Sequence, residues 1–272
     1  MTTEEKKELL RKQFDKYAEQ DLCVAFSGGV DSSLVLIMAC EAAAKTGKRV
    51  YAVTMDTVLH PKADVEAAKK VLEKTEAVHE ILTMNELAVP QMHNNPKKRC
   101  YFCKKALYTK MMEFAAEKGA QLLLEGSNED DLHVYRPGLQ AVRELGVISP
   151  LADCGVTKAE VRQMAKEYEI PTAERPSAPC LATRLPYGTE IDLELLKRID
   201  EGENYLRSFG WNNVRLRAHG ITARLETDIE VFSQVLEHRE KVIKKLKELG
   251  FVYITLDLEG FRSGSMDIQD DL

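Results

Sequence analysis

Leu22–Phe26 runs directly into Ser27-Gly28-Gly29-Val30-Asp31-Ser32-Ser33, and these twelve residues decide the reading of the first half of the chain. The five leading residues are an apolar run of the length of a buried strand. From Ser32 to Lys45 the chain is rich in Leu and Ala and reads as a helix. Between the two, Gly28 and Gly29 let the backbone turn tightly and approach a ligand closely. The helix start beyond them offers free N–H groups and the positive end of a dipole. Ser27, Ser32 and Ser33 add hydroxyl donors. Such a strand, loop and helix is built for an anion, and in this setting for a phosphate. No Gly-Lys-Ser/Thr follows, so the loop lacks the lysine with which a Walker A loop reaches a γ-phosphate.

Outward from this loop the pattern repeats. Thr3–Glu19 reads as a helix, Arg49–Met55 as a strand, Ala63–Lys74 as a helix and Val78–Leu82 as a strand. Cys103–Glu117 reads as a helix, Gln121–Leu124 as a strand, and Lys158–Glu169 as a helix with Thr157 as its N-cap. Alternation of this kind predicts an α/β fold with a doubly wound parallel sheet covered on both faces, and ligands at the carboxyl ends of its strands. The pattern changes near Ile170. Pro171, Pro176, Pro179 and Pro186 crowd a segment that also carries Cys180 and Arg184, which points to a functional loop over residues 171–190 rather than a plain linker. Beyond it, Leu193–Phe209 reads as a helix, Val214–Ala218 and Thr222–Glu226 as strands joined at His219-Gly220, Ile229–Leu249 as one helix and Val252–Leu258 as a strand. The expected organisation is a nucleotide domain over 1–170, the loop over 171–190, and a smaller C-terminal α+β domain over 191–272 that serves substrate binding or assembly.

Composition narrows the function classes. In 272 residues, 38 Lys and Arg face 44 Asp and Glu, a formal net charge of −6. That argues against avid non-specific binding of nucleic acid. The longest apolar run, Leu34–Cys40, is too short to cross a bilayer, and Met1–Gln20 is charged and amphipathic without the apolar centre of a signal peptide. A reduced, cytoplasmic setting is expected, in which six cysteines are thiols rather than a disulfide scaffold.

Cys100 and Cys103 form a CxxC at a helix start, where residues i and i+3 share a face and both thiols can meet one ion or cluster. Alone it is compatible with a redox pair, half a zinc site or chance. A zinc ribbon wants a second CxxC, and the chain has none. With Cys180 added, three thiolates suit a [4Fe–4S] cluster with one iron left without a protein ligand. Cys154 is an alternative fourth donor, although its Asp-Cys-Gly turn favours a structural role. Cys23 and Cys40 read as small core residues. Arg215 and Arg217 alternate on a strand and so share a face, where paired guanidiniums suit phosphate or carboxylate, or else an ordinary salt-bridged surface. The acids Glu226, Asp228 and Glu230 read as helix N-terminal acids. The basic run Lys97, Lys98, Arg99, Lys104 and Lys105 reads as a solvated face.

The SGGVDSS segment resembles the pyrophosphate loop of the ATP pyrophosphatases of the adenine nucleotide α-hydrolase type. That resemblance implies ATP and Mg²⁺, cleavage between the α and β phosphates, Ser27, Gly28, Gly29, Ser32 and Ser33 on the pyrophosphate, and Asp31 beside the metal. It also implies an adenine pocket near Met55 and Gly126. Adding Tyr135-Arg136-Pro137-Gly138, Leu185-Pro186-Tyr187-Gly188-Thr189, Tyr205-Leu206-Arg207, Val214-Arg215-Leu216-Arg217 and Leu256–Gly264, the chain resembles over nearly its full length the ATP-dependent sulfur transferases that help build the nickel-pincer nucleotide cofactor of lactate racemase. The likeness implies a pyridinium-3,5-biscarboxylic acid mononucleotide as the small-molecule substrate, Arg136, Arg184, Arg215 and Arg217 as substrate-binding, and Arg184 and Cys180 at the reacting end. It also implies a homo-oligomer between dimer and hexamer. Two forms of the family exist: one sacrifices a single cysteine, at the position of Cys180, and the other holds a [4Fe–4S] cluster on three. Cys100, Cys103 and Cys180 match the second. A tRNA thiolation enzyme, an amide-forming synthetase using ammonia and a nucleotide-binding protein without chemistry are the competing readings.

Overall fold

The computed structural model describes residues 1–60, 63–174, 179–262 and 265–266, with residues 63–67 as backbone only. The expectations that rest on Pro176, Ser263 and Gly264 lie outside the described residues. The chain folds into two compact units. The first comprises Met1–Val58, Lys62–Val89 and Lys98–Ser177; the second comprises Leu59–Pro61, Pro90–Lys97 and Ala178–Leu272.

In the first unit, α1 (Thr3–Tyr17) leads into β1 (Leu22–Ala25), α2 (Val30–Thr46), β2 (Val50–Thr57), α3 (Ala63–Leu72) and β3 (Val78–Met84). Then come α4 (Arg99–Glu117), β4 (Leu122–Leu124), α5 (Gly138–Leu145), α6 (Pro150–Asp153) and α7 (Lys158–Glu167). The four strands form a parallel sheet in the order β3-β2-β1-β4. Alternation along β1 covers both faces: Leu22 and Val24 pack against Leu10 and Phe14 of α1, Leu34 and Val35 of α2, and Val161 and Met164 of α7. Cys23 points the other way, into a second core with Tyr51, Val53 and the α4 residues Tyr108, Met111 and Phe114. This is the doubly wound α/β sheet expected from the sequence.

Two boundaries differ in ways that matter. α4 begins at Arg99 rather than Cys103, so both CxxC thiols lie in its first turns. The expected helix over Ile229–Leu249 is a short 3₁₀ turn followed by α9 (Phe232–Glu237) and α10 (Arg239–Glu248). His238 stands between them with ψ near 9°, its ring stacked on Phe209 at 4.9 Å, which takes the residue out of helical geometry. The rest of the second unit consists of α8 (Leu193–Arg207), β5 (Arg215–His219), β6 (Thr222–Glu226) and β7 (Tyr253–Leu256), with β5 antiparallel and β7 parallel to β6. Gly202 lets α8 close on this sheet: a Cβ there would stand 2.8 Å from Leu216 of β5 and 3.2 Å from Leu246 of α10. Among the described residues no helix is long and apolar enough to cross a membrane.

Candidate nucleotide site and thiol-bearing segments

The sheet order reverses at β1. The chain runs outward through β2 and β3, then returns to place β4 on the other flank of β1, and ligands in open parallel sheets bind at such a reversal, beyond the strand ends. Two loops meet there. The first follows β1. Its Gly28 has φ +75°, and a Cβ on it would lie 2.7 Å from the backbone N of Ala68 in α3, so glycine is required both for conformation and for space. Gly29 N-caps α2. Ser32 Oγ donates to the Gly29 carbonyl (3.1 Å) and accepts from Ser27 Oγ (3.0 Å), while the Gly29 amide donates to Ser27 Oγ (3.3 Å). These bonds hold the loop in a tight coil over the helix start. Ser33 is different: its side chain is fully buried beside Thr172 and packs the base of the loop.

The second loop follows β4. A Cβ on Gly126 would sit 2.7 Å from the Ser32 amide nitrogen, so this glycine lets the loop lie directly on the first turn of α2. Two residues on, Asn128 donates from Nδ2 to Asp31 Oδ1 at 3.1 Å. The other Asp31 oxygen accepts from Lys158 Nζ, at the first position of α7. The Lys158 amide in turn donates to Asp130 at 3.0 Å, and the Glu129 amide to Val156 O at 2.9 Å. Asp31 is thus held between an amide and an ammonium. Thr157 caps α7 with a full capping box, as its position in the sequence predicts. Arg136 lies farther along the same loop, half-exposed and paired with Asp131 at 2.9 Å. Met55, on β2, packs at the margin of the second core.

The carboxyl end of β4 is tied to the CxxC helix by Glu125, which is 3% exposed. Its carboxylate accepts from the Ser127 amide (2.9 Å), Ser127 Oγ (2.8 Å), Tyr108 Oη (3.2 Å) and Ser149 Oγ, with Lys104 Nζ at 3.5 Å. Burial pushes this carboxyl up, but Lys104 and the serine donors outweigh it, and the group lies below the usual carboxylate range. Burial and the Glu125 charge raise the Tyr108 phenol far above its ordinary value, so it stays a donor. Lys104 comes directly after Cys103. The basic run around the CxxC is therefore only partly a solvated face: Lys104 joins the Glu125 cluster and Arg99 is buried. Cys100 is exposed and Cys103 half-buried.

In the second unit Cys180 opens a 3₁₀ turn, Leu181–Arg184. Arg184 is 1% exposed. Its Nε and Nη2 grip Glu203 at 2.9 and 2.8 Å, and its Nη1 donates to the Pro179 carbonyl at 2.9 Å and the Cys180 carbonyl at 3.4 Å. Arg217 pairs with Glu226 (2.9 Å) and donates to the Thr183 carbonyl (2.7 Å). Arg215 stacks over the Phe261 ring at 5.1 Å, and burial together with the Arg184 charge pushes its guanidinium down to about 10. The strand places Arg215 and Arg217 in the interior, not on a solvated surface. Glu226 needs a correction: it is no helix-terminal acid but a fully buried acceptor for Arg217, Arg224 and Ser265. Cys23 is fully buried and Cys40 half-buried, and burial pushes both thiols to about 12. Cys154 is buried and raised as well, which agrees with a structural role. Among the described residues no three His, Cys, Asp or Glu side chains are grouped so as to hold a metal ion.

Sequence reasoning missed Lys158, Asn128, Glu125 and Glu203. Glu203 sits mid-helix in α8 among other charges. For Lys158, Asn128 and Glu125 the partners that matter, Asp31 for the first two and Lys104, Tyr108 and Ser149 for the third, lie far away in sequence, so no local pattern marks their roles.

Residues 1–134 match the PP-loop domain. An uncharacterized protein of Synechocystis sp. is 37% identical over 90% of this chain and 91% of its own length. The pyridinium-3,5-bisthiocarboxylic acid mononucleotide synthase of Lactiplantibacillus plantarum is 34% identical over 91% of this chain and 89% of its own. The chain belongs to that synthase family, within the PP-loop superfamily. An uncharacterized protein of Methanocaldococcus jannaschii is also similar, 29% identical over 92% of this chain. Membership in this PP-loop family makes the chain an ATP-using sulfurtransferase.

Proposed function

We propose that the protein adenylates a carboxylate of a pyridinium-3,5-biscarboxylic acid mononucleotide and converts it to a thiocarboxylate, forming AMP and pyrophosphate. The observation that carries this reading is the near full-length likeness to the bisthiocarboxylic acid mononucleotide synthase, which takes in both units.

A carboxylate resists attack because its charge repels nucleophiles and oxide is a poor leaving group. Attack of one carboxylate oxygen on the α-phosphorus of ATP expels pyrophosphate and leaves an acyl adenylate. A sulfur nucleophile then adds to the acyl carbon, and AMP departs with the former carboxylate oxygen. In this reading the α2 amides and the Ser27 and Ser32 hydroxyls take the pyrophosphate charge. Asp31 would hold Mg²⁺, which would neutralise charge on the phosphates, and Lys158, now paired with Asp31, would offer its ammonium to the phosphates as the cation that the loop itself lacks. Arg215 and Arg217 line the position for the substrate's anionic groups, where an anion would relieve the crowding of positive charge around Arg215. For Arg184 the bonds to Glu203 and to the Cys180 carbonyl favour a positioning role beneath the thiol.

Cys100, exposed, and Cys103, half-buried, lie in the first turns of α4, and their CxxC spacing together with Cys180 supports thiolate ligation of an iron–sulfur centre. A [4Fe–4S] cluster held by Cys100, Cys103 and Cys180 would supply an iron-bound sulfide as the sulfur donor. The same Cys180 placement would serve sacrificial transfer of its own sulfur.

The test is anaerobic incubation of the full chain with ATP, Mg²⁺, sulfide and the pyridinium dicarboxylate mononucleotide. Substrate-dependent pyrophosphate and a thiocarboxylate product are expected, with Cys180 still intact after several turnovers. Dehydroalanine at position 180 after one turnover would establish the sacrificial form instead. Absence of pyrophosphate release would refute the adenylation chemistry.

A further inference from the structure

Asn95 stands out in the second unit as a buried polar residue that the reaction does not use. Its φ of +44° is left-handed, a conformation that asparagine tolerates better than other non-glycine residues. It is 0% exposed. From this position its Nδ2 reaches the carbonyls of Pro186 at 2.9 Å, Leu185 at 3.0 Å and Ala182 at 3.4 Å. Its own carbonyl accepts from the Gly188 amide at 3.2 Å, and the His93 carbonyl accepts from the Ile191 amide at 2.9 Å. The Leu59 carbonyl accepts from the Leu181 amide at 2.8 Å. Residues 90–97 thus bind the 181–191 stretch as a strap, and the Asn95 side chain bonds the turn itself.

That turn carries Cys180. The Cys180 carbonyl already accepts from the Thr183 amide (3.0 Å) and Thr183 Oγ1 (2.7 Å), besides Arg184. Arg184 therefore fixes the leading end of the turn and Asn95 its trailing end. The strap then runs on in sequence to Cys100, five residues beyond Asn95, a stretch whose extended length is at most about 18 Å.

We propose that Asn95 is a positioning residue for Cys180: it sets the 182–186 turn from a segment that leads directly into the CxxC helix, so that the third thiol has one defined placement. The proposal rests on the three-thiol reading for its purpose, but not for its first measurement.

Two full-length variants test it. Asn95→Gly keeps the left-handed backbone and deletes the side chain. Asn95→Asp keeps the shape and turns a donor into an acceptor facing three carbonyls. In cluster-free protein, Cys180 alkylation by iodoacetamide and deuterium uptake of the 181–191 peptide should both rise about tenfold in each variant, with Cys100 alkylation and uptake elsewhere within about twofold of wild type. After anaerobic reconstitution with iron and sulfide, bound iron should fall below about half of the wild-type value. The kcat for thiocarboxylate formation should fall about tenfold with the ATP KM unchanged. Unchanged Cys180 alkylation and 181–191 exchange in both variants would overturn the proposal. So would a rise spread evenly over the chain, or failure of both variants to fold, since each means loss of fold and not of one turn. If wild-type protein binds no iron, the three-thiol reading fails, and the alkylation and exchange results still decide the role of Asn95.

Discussion

Asp31 shows how one side chain can hold a site ready before its ligand arrives. Its two oxygens are taken by Asn128 and Lys158, so charge is balanced while the loop is already shaped. Replacing Asp31 with Ala should abolish pyrophosphate release from ATP, measured by coupled phosphate assay, while leaving bound iron unchanged. Lys158→Met should raise the ATP KM by ten- to a hundredfold, the loss of about 1.5–3 kcal/mol for a hydrogen bond to a charged group, while Lys158→Arg recovers part of it. Lys158 was invisible in the sequence because a lysine at a helix start is ordinary; only its distant partner gives it meaning. By contrast, Cys23 was legible from its apolar neighbours alone. With its thiol raised to about 12, it should resist alkylation at pH 8 in native protein while exposed Cys100 reacts within minutes, a difference that peptide mass spectrometry resolves.

At the scale of elements, close approach governs the candidate nucleotide site. α2 can start where it does only because Gly28 admits α3 and Gly126 admits the loop after β4. Gly126→Ala should push that loop away from Ser32, costing about 1–3 kcal/mol in urea unfolding and weakening ATP binding more than substrate binding. The periodic elements were readable from residue order, including β1, the Thr157 cap and the β5–β6 hairpin, because each buries a face set by local spacing. α5 was not, since its short amphipathic run follows Pro137 within an otherwise irregular stretch. The break at His238 was also hidden: the residues on either side favour helix, and the ring stack that interrupts them involves Phe209.

Across the whole molecule, one source of acid sensitivity should lie in the second unit. Burial raises the Glu203 carboxyl, but Arg184, the Leu216 amide and Arg207 outweigh it, so its folded value is depressed. A depressed carboxylate stabilises the fold above its unfolded value of about 4.3 and loses that contribution as pH falls through the lower folded value. Urea midpoints read from Trp211, which is buried in this unit, should therefore fall steeply below about pH 4. Glu203→Gln should flatten that slope and cost about 3–5 kcal/mol at pH 7, because Arg184 loses its buried counter-charge. The net charge of −6 predicts weak retention of bulk tRNA on filters at 150 mM salt; tight, salt-sensitive retention would favour a tRNA thiolase. The discontinuous make-up of the second unit was beyond sequence reading, since 59–61 and 90–97 are too short to carry any period.

That discontinuity reaches back to the ribosome. The 90–97 strap emerges long before residues 181–191, to which it will bond. At roughly 5–20 residues per second it waits on the order of ten seconds with its carbonyls and Asn95 facing water or a chaperone. The nucleotide-binding unit is thus born around two unfinished inserts, and the thiol-bearing turn gains its strap bonds at once but its Glu203 and Arg217 bonds only when the later strands and helices emerge.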